Sequence, residues 1–352
     1  MNERMPVPGP EAVYEDAFGI TLSSRIRLAR NLRGVPFPDK ASPAVRQDVV
    51  ARVRAAAQEP LPDQRLLAAC TPLERQQLFE DHLISHALLE GRPDSAVCLS
   101  LDCQRSAMVN EEDHLRIQAL RPGLALRVAW ADADALDDAL ERRLDYAFSA
   151  ALGFLTSCPS NVGTGMRASV LMHLPALVLM GEMDPIVNGL GKIGLAVRGR
   201  WGEGTAALGH MFQISNQLTL GVPESRTIED LEAIVKEVAG HEQNARERLR
   251  RERRTFAEDL AARAAGILGA ARLMTAQEAL ERLSELRLGI ALGLVRGIGM
   301  PQVDRLLREV QPAHLQAAVG RNLTAAERDM ERAKRLRGEL RRPPKPLAKR
   351  IP

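Results

Sequence analysis

Apolar and polar residues alternate in period two through several short runs of the first two-thirds of the chain, and in the period of a helix through the last third. The run ITLSSRIRLA, beginning at Ile20, predicts a strand that places Arg25 and Arg27 on one face. SPAVRQDVVARVRAAAQ predicts a helix begun by Ser42 and Pro43, and Thr71, Pro72 and Glu74 form a capping-box pattern for a second. Between Val97 and Trp130 the runs VCLSL, SAMVN, HLRIQAL and LALRVAW are separated by polar or Gly-containing turns, which predicts adjacent, largely antiparallel strands. Helical periodicity is read in DALDDALERRLDYAFSA and GMRASVLMHLPALVLM, and strands return in KIGLAVRG and MFQISNQLTL. The sum is an α+β domain over residues 20–245, an antiparallel sheet flanked by helices, preceded by a flexible tail at 1–19 rich in Pro, Gly and acidic residues.

Beyond residue 245 strand-like alternation stops. Thr255-x-x-Glu258, Thr275-x-x-Glu278 and Thr324-x-x-Glu327 are capping-box signatures ahead of amphipathic stretches, so 246–340 is expected to be all-helical. The basic run 246–256 carries Glu247 and Glu252 at helical spacing and reads as a solvated helix face. Residues 341–352 hold prolines that no helix can continue through and read as a flexible basic end.

Composition narrows the class. A chain of 352 residues with 45% hydrophobic content can build one large domain and a smaller one. Its 48 Lys and Arg against 45 Asp and Glu leave a balance of only +3, which argues against a general nucleic-acid binder; a specific basic site must be local. Cys70, Cys98, Cys103 and Cys158 form no CxxC pair and have no accompanying His spacing, so they read as free thiols of a reducing compartment rather than metal ligands. The N-terminus lacks an apolar h-region, and no run approaches the ~18 apolar residues of a membrane span, which predicts a soluble, cytoplasmic chain.

Standard nucleotide motifs do not account for the sequence. GxxxxGK[ST] is absent, and Gly189-x-Gly191-x-x-Gly194 follows a helical stretch and leads into a strand, the reverse of a dinucleotide site. The arginines are more informative. Arg25 and Arg27 share a strand face; strand parity groups Glu112, His114 and Arg116, with about 13 Å between Glu112 and Arg116 at the usual rise. Arg167 is read as opening a helix after a Gly-rich turn, and Arg198 closes a strand. Rigid guanidinium forks bind phosphate oxygens bidentately, so such a set suits a triphosphate.

SSRIRLARNL, EDHLIS, NEEDHLRIQ, CPSNVGTGMRAS, RGRWGEG and FQISNQ, in that order, resemble the ATP:guanido phosphotransferases, the family of arginine and creatine kinases. The resemblance implies that ATP, with Mg2+, is bound by Arg25, Arg27, Arg116, Arg167 and Arg198, with Ser24, Ala168, Ser169, Gly199 and Gly202 beside them and His82 near the adenosine end. It implies that Glu112 and Glu203 grip the acceptor guanidinium, one serving as base, and that Cys158 tunes that cation electrostatically as a thiolate. Glu111 and Asp113, of opposite parity to Glu112, are expected to be structural, capping or solvated.

Small-molecule guanidino kinases carry a sizeable helical domain before the catalytic part, whereas only 22 residues precede Ser23 here, which predicts a more open acceptor site. The segment Arg328-Asp329-Met330-Glu331-Arg332-Ala333 looks like the RDxxRA motif of the bacterial protein-arginine kinases, which implies a second pocket in which Arg328, Asp329 and Arg332 recognise phosphoarginine. Arg200-Trp201 departs locally from the family pattern and bears on substrate preference. The resemblance further implies protein substrates with exposed arginines, a zinc-binding activator protein, a stress-gene repressor inactivated by phosphorylation, a Clp ATPase-protease that degrades marked proteins, and a homodimer. Two other readings remain open on the residues: a phosphagen kinase of free arginine or another small guanidino compound, and a non-catalytic adaptor that reads phosphoarginine.

Overall fold

The computed structural model describes residues 19–90, 92–199 and 208–340, so the tails, Arg200, Trp201, Gly202 and Glu203 lie outside the described residues. The strands are β1 (Thr21–Arg30), β2 (Asp63–Leu66), β3 (Ala96–Leu99), β4 (Arg105–Val109), β5 (Leu115–Pro122), β6 (Phe148–Ser149), β7 (Gly153–Phe154), β8 (Met166–His173), β9 (Leu195–Gly199) and β10 (Met211–Asn216). The helices are α1 (Pro43–Ala57), α2 (Pro72–Glu80), α3 (His86–Leu89), α4 (Leu126–Glu141), α5 (Pro175–Leu179), α6 (Met183–Lys192), α7 (Glu224–Glu252), α8 (Arg254–Ala270), α9 (Ala276–Ala291), α10 (Met300–Glu309), α11 (Pro312–Val319) and α12 (Ala325–Leu340). The described residues fall into two compact units: those within 19–172, 184–199 and 212–239 form one, and those within 173–183, 208–211 and 240–340 the other.

The first unit is built on an eight-stranded sheet in the order β2-β3-β4-β5-β1-β8-β10-β9, and every pairing with a determined register is antiparallel. Ile26 and Leu28 of β1, Ile117 and Ala119 of β5 and Ala168, Val170 and Met172 of β8 are fully buried at every second position. On β1 the intervening positions, Arg25 and Arg27, are only partly buried. α4 packs on β1 and β5 through Leu126, Ala129, Ala133, Leu136 and Leu140. Truncating Ile26 beneath that helix should cost about 2–5 kcal/mol of stability.

Three elements differ from the sequence reading. LALRVAW is not a strand: Gly123 turns the chain with φ +66°, and Leu126 begins α4. The buried positions of that helix fall at spacings of three and four, a pattern that a seven-residue window cannot distinguish from alternation. GMRASVLMH is strand β8 rather than helix, and only the segment from Pro175 is helical, so Arg167 sits on a strand. Helical periodicity in LDYAFSA also fails, since α4 stops at Glu141 and Phe148–Ser149 pairs with Gly153–Phe154. Ser42 and Thr71 cap α1 and α2 as expected, the latter with both arms of the box.

The second unit is helical. Thr275 and Thr324 accept the expected backbone hydrogen bonds from Glu278 and Glu327, but Thr255 lies inside α8, whose cap position is Arg253. α8 packs closely on α9: a Cβ on Gly289 would meet the Cβ of Ala261 at 2.7 Å. The basic run is not uniformly solvated. Arg246 is buried on the Glu242 carboxylate at 2.7 Å, whereas Arg248, Arg251 and Arg254 form exposed pairs.

Candidate active site

The centre of the sheet gathers arginines. On β1, Arg27 pairs directly across from Arg167 of β8 and Arg25 from Ser169, while Arg116 of β5 lies opposite Ala29. Arg198 of β9 lies opposite Gln213 of β10, and Gln213 accepts a 2.8 Å hydrogen bond from Arg25. Asn216 secures β8 in place of a ladder bond: its Oδ1 accepts from Ala168 N at 2.8 Å and its Nδ2 donates to Met166 O at 3.1 Å.

These guanidinium groups crowd one another. Burial, then the charges of Arg116 and Arg167, push Arg25 down to about 10. Arg27 is driven well below its ordinary value by burial and by Arg25, Arg116 and Arg167, with Glu111 acting against them. Like charges gathered where water cannot fully screen them repel, and a polyanion relieves that repulsion. Beside the cage, Ser23, Arg25, His82, Leu120, Ser169, Leu171 and Gln213 line a pocket with two leucine walls. Ser24, by contrast, is buried and donates to Gly123 O at 2.8 Å.

The acids do not follow strand parity. Residues 110–114 are the loop of the β4–β5 hairpin, closed by Asn110 N donating to His114 O at 3.0 Å. Asn110 takes the left-handed conformation at φ 56°, tolerated by Asn, and its Nδ2 bonds Arg46 O and Asp94 O at 2.8 Å each. The loop folds back, so Glu112 lies 3.3 Å from Arg116 rather than a strand's length away. Glu111 is buried 2.8 Å from Arg116, a counter-ion inside the cage. His114 belongs to the scaffold: Leu32 N donates to its Nδ1 at 3.0 Å, so Nε2 carries the proton given to Pro36 O at 2.9 Å. Burial holds this imidazole below its ordinary pKa, in keeping with the neutral form.

Glu112 remains partly exposed, and the Cys158 thiol is near enough to help hold its charge. Burial raises its carboxyl above the ordinary range, with Arg116 pulling the other way and Asp113 and Glu111 adding to the rise. The Cys158 Sγ also lies 3.0 Å from Ser160 Oγ. Two glycines hold the rest of this loop: a Cβ on Gly163, at φ +112°, would strike Thr219 O at 2.2 Å, and one on Gly165, at φ +66°, would strike Ala29 O at 2.6 Å. Arg30 Nη1 donates to Thr164 O at 2.9 Å while its guanidinium packs 3.5 Å over Phe154 and pairs with Asp137 at 2.6 Å. Because both partners are nearly buried, Asp137→Ala should destabilise the fold by about 3–5 kcal/mol, read as a lower denaturant midpoint.

Of the residues expected from the sequence, Arg25, Arg27, Arg116, Arg167, Ala168 and Ser169 come together on β1, β5 and β8, and Arg198 and Gly199 end β9. Glu112 and Cys158 meet, and His82 lines the pocket. The sequence reading gives no role to Gln213, Leu120, Leu171 or Asn216, although FQISNQ holds two of them, and Glu111, expected to be structural, capping or solvated, pairs with Arg116 inside the cage. Gly189 and Gly191 lie within α6, which removes the dinucleotide reading.

In the helical unit, Arg332 is buried and donates to Val310 O at 2.8 Å, Met274 O at 2.7 Å and the Asp329 carboxylate at 2.7 Å. Arg328 donates to Leu323 O at 2.8 Å, and both it and Asp329 are partly exposed. The two arginines share a helix side, as their spacing requires, but that side turns into the core at Arg332.

A family profile described as "ATP:guanido phosphotransferase, C-terminal catalytic domain" matches residues 46–245, and one described as "Protein-arginine kinase McsB C-terminal domain" matches 254–350. A protein-arginine kinase of Moorella thermoacetica is 47% identical over 94% of this chain and 94% of its own. One of Pelotomaculum thermopropionicum is 45% identical over 96% of this chain and 95% of its own. Among solved structures, a lombricine kinase superposes with a TM-score of 0.56 and 25% identity, over 69% of this chain and 72% of its own.

Proposed function

The chain belongs to the protein-arginine kinases, a branch of the ATP:guanido phosphotransferases, and from that membership we propose a division of labour among its residues. The chain transfers a phosphoryl group from ATP to arginine side chains of proteins. In our reading Arg25, Arg27, Arg116, Arg167 and Arg198 hold the triphosphate, and His82 with Leu120 and Leu171 borders the nucleoside. The observation that carries it is the crowding of guanidinium groups from three adjacent central strands immediately beside the Glu112 carboxylate.

The acceptor is a guanidinium with a pKa above about 12, so it must lose a proton before its nitrogen can attack phosphorus. Glu112 and Glu203 orient that cation bidentately, and one of them takes the proton as the N–P bond forms and the bond to the departing ADP oxygen breaks. In this reading the Cys158 thiol, near enough to Glu112 to act on its charge, tunes the charge of the acceptor. Mg2+ would enter as the companion of ATP's own phosphates. Bound there, it would neutralise charge on the transferring group.

We assign residues 246–340 to phosphoarginine recognition and dimerisation. Asp329 and Arg328 face the ligand, and Arg332 holds Asp329 in place. The family profile over 254–350 supports this assignment. A cytoplasmic setting, a zinc-binding activator, a stress-gene repressor as substrate and delivery of marked proteins to a Clp protease complete the proposal; among the described residues no helix is long and apolar enough to cross a membrane.

Incubation with Mg-ATP and an unfolded protein should give acid-labile, base-stable phosphate on arginine. Phosphate confined to Ser or Thr refutes the reading, and free arginine phosphorylated far faster than protein replaces it with a phosphagen kinase. Glu203→Ala should abolish transfer and leave ATP affinity largely intact.

A further inference from the structure

Asp113 is fully buried. Its Oδ1 accepts two hydrogen bonds from distant parts of the chain: Asn31 Nδ2 at the end of β1, at 2.6 Å, and Ser157 N, one residue before Cys158, at 2.7 Å. Asn31, itself buried, completes the junction. Its Nδ2 also donates to Leu155 O at 3.0 Å, and its Oδ1 accepts from His114 N at 2.9 Å. Two side chains thus tie three segments together: the end of the strand that carries Arg25 and Arg27, the hairpin loop that carries Glu112, and the loop that carries Cys158.

We propose that Asp113 and Asn31 are positioning residues for phosphoryl transfer, a buried pair that sets the Glu112 carboxylate against the Cys158 thiol and so fixes the seat of the acceptor guanidinium. This rests on the reading of Glu112 and Cys158 given above. Glu112 adjoins Asp113 and Cys158 adjoins Ser157, so a shift of the Asp113–Ser157 bond moves both acceptor-side groups relative to each other. The phosphate cage is held separately, by the register of β1, β5 and β8. A displacement of about 1 Å at a reacting centre can cost about 100-fold in rate. The role is geometric rather than ionic, because only one oxygen of Asp113 receives the two bonds and an amide oxygen can receive the same two.

The test compares Asp113→Ala, Asp113→Asn, Asn31→Ala and the Asn31→Ala/Asp113→Ala double variant in the full chain. Each is measured for arginine phosphorylation, ATP affinity, thermal midpoint and the rate of Cys158 alkylation by iodoacetamide at fixed pH. Asp113→Ala and Asn31→Ala should each lower kcat by about 10–100-fold with ATP affinity within about threefold of the parent. The double variant should be little worse than either single one, because both cut the same network. Asp113→Asn should recover most of the rate and the parental alkylation rate, while Asp113→Ala alkylates several-fold faster. An Asp113→Asn variant as inactive as Asp113→Ala overturns the geometric role, as does full activity in Asp113→Ala. Equal loss of ATP affinity and thermal midpoint reduces the pair to ordinary scaffold. If Asp113→Ala does not fold, Asp113→Asn and Asn31→Ala decide the matter by the same measures. Glu112→Gln separates the two readings: should it stay active, the assignment of the acceptor site fails; should it die while Asp113→Ala does not, only the positioning role fails.

Discussion

Glu112→Gln should reduce arginine phosphorylation by about 10²–10⁴-fold while ATP binding stays near the parental level. The substitution keeps the size of the side chain and its capacity to accept a hydrogen bond, but removes the charge that orients a guanidinium and can receive its proton. Arg116 keeps its 2.8 Å partner in Glu111, so the phosphate cage is not left with an additional unpaired cation. A kcat within about threefold of the parent would refute the assignment. The pH profile gives a second reading of the same group. A base acts in its ionised form, and burial raises the Glu112 carboxyl above the ordinary carboxylate range. Activity therefore falls as pH drops through that raised value, and the acid limb belonging to Glu112 disappears in the Gln variant.

The contrast between β1 and the hairpin loop shows what a sequence can reveal of this site. β1 was legible because its period-two pattern agrees with its burial: Ile26 and Leu28 point into the core beneath α4, and Arg25 and Arg27 take the opposite face. The same parity failed over residues 110–114, because Asn110 adopts a left-handed conformation and turns the chain, which brings Glu112 to Arg116 and drives Asp113 inside. Asn tolerates that conformation, but tolerance does not announce a turn. β8 was misread for a different reason. Met166, Ala168, Val170 and Met172 are buried, and Leu171 adds an apolar residue on the other face, so MRASVLMH satisfies either period until Pro175 ends the ambiguity. What the residues could not give was the set of pairings across long separations: Asn31 with Asp113, Arg30 with Asp137, and Gln213 with Arg25. Each joins side chains whose separation in sequence carries no periodicity at all. The family resemblance, by contrast, named the arginines without supplying the reason they stand together.

That reason leads to the second large effect. Arg27→Met should weaken ATP binding by about 10–150-fold, the loss of a charge-assisted contact worth about 1.5–3 kcal/mol. The same change should raise the thermal midpoint measured without nucleotide by about 2–4 °C. Both follow from one fact. Arg27 is held among Arg25, Arg116 and Arg167, its Nε has no hydrogen-bond partner among the described residues, and Glu111 acts against that crowding. In the absence of a polyanion that arrangement opposes folding, and a thioether of similar length removes the repulsion while filling the same space beside β8. With ATP present the balance reverses, since the parent gains stability from nucleotide binding that the variant cannot match. Thermal midpoints recorded across an ATP titration should therefore cross: the variant higher at zero nucleotide, the parent higher at saturation. A variant less stable than the parent under both conditions would show that Arg27 is a structural ion rather than part of a cage charged for its ligand.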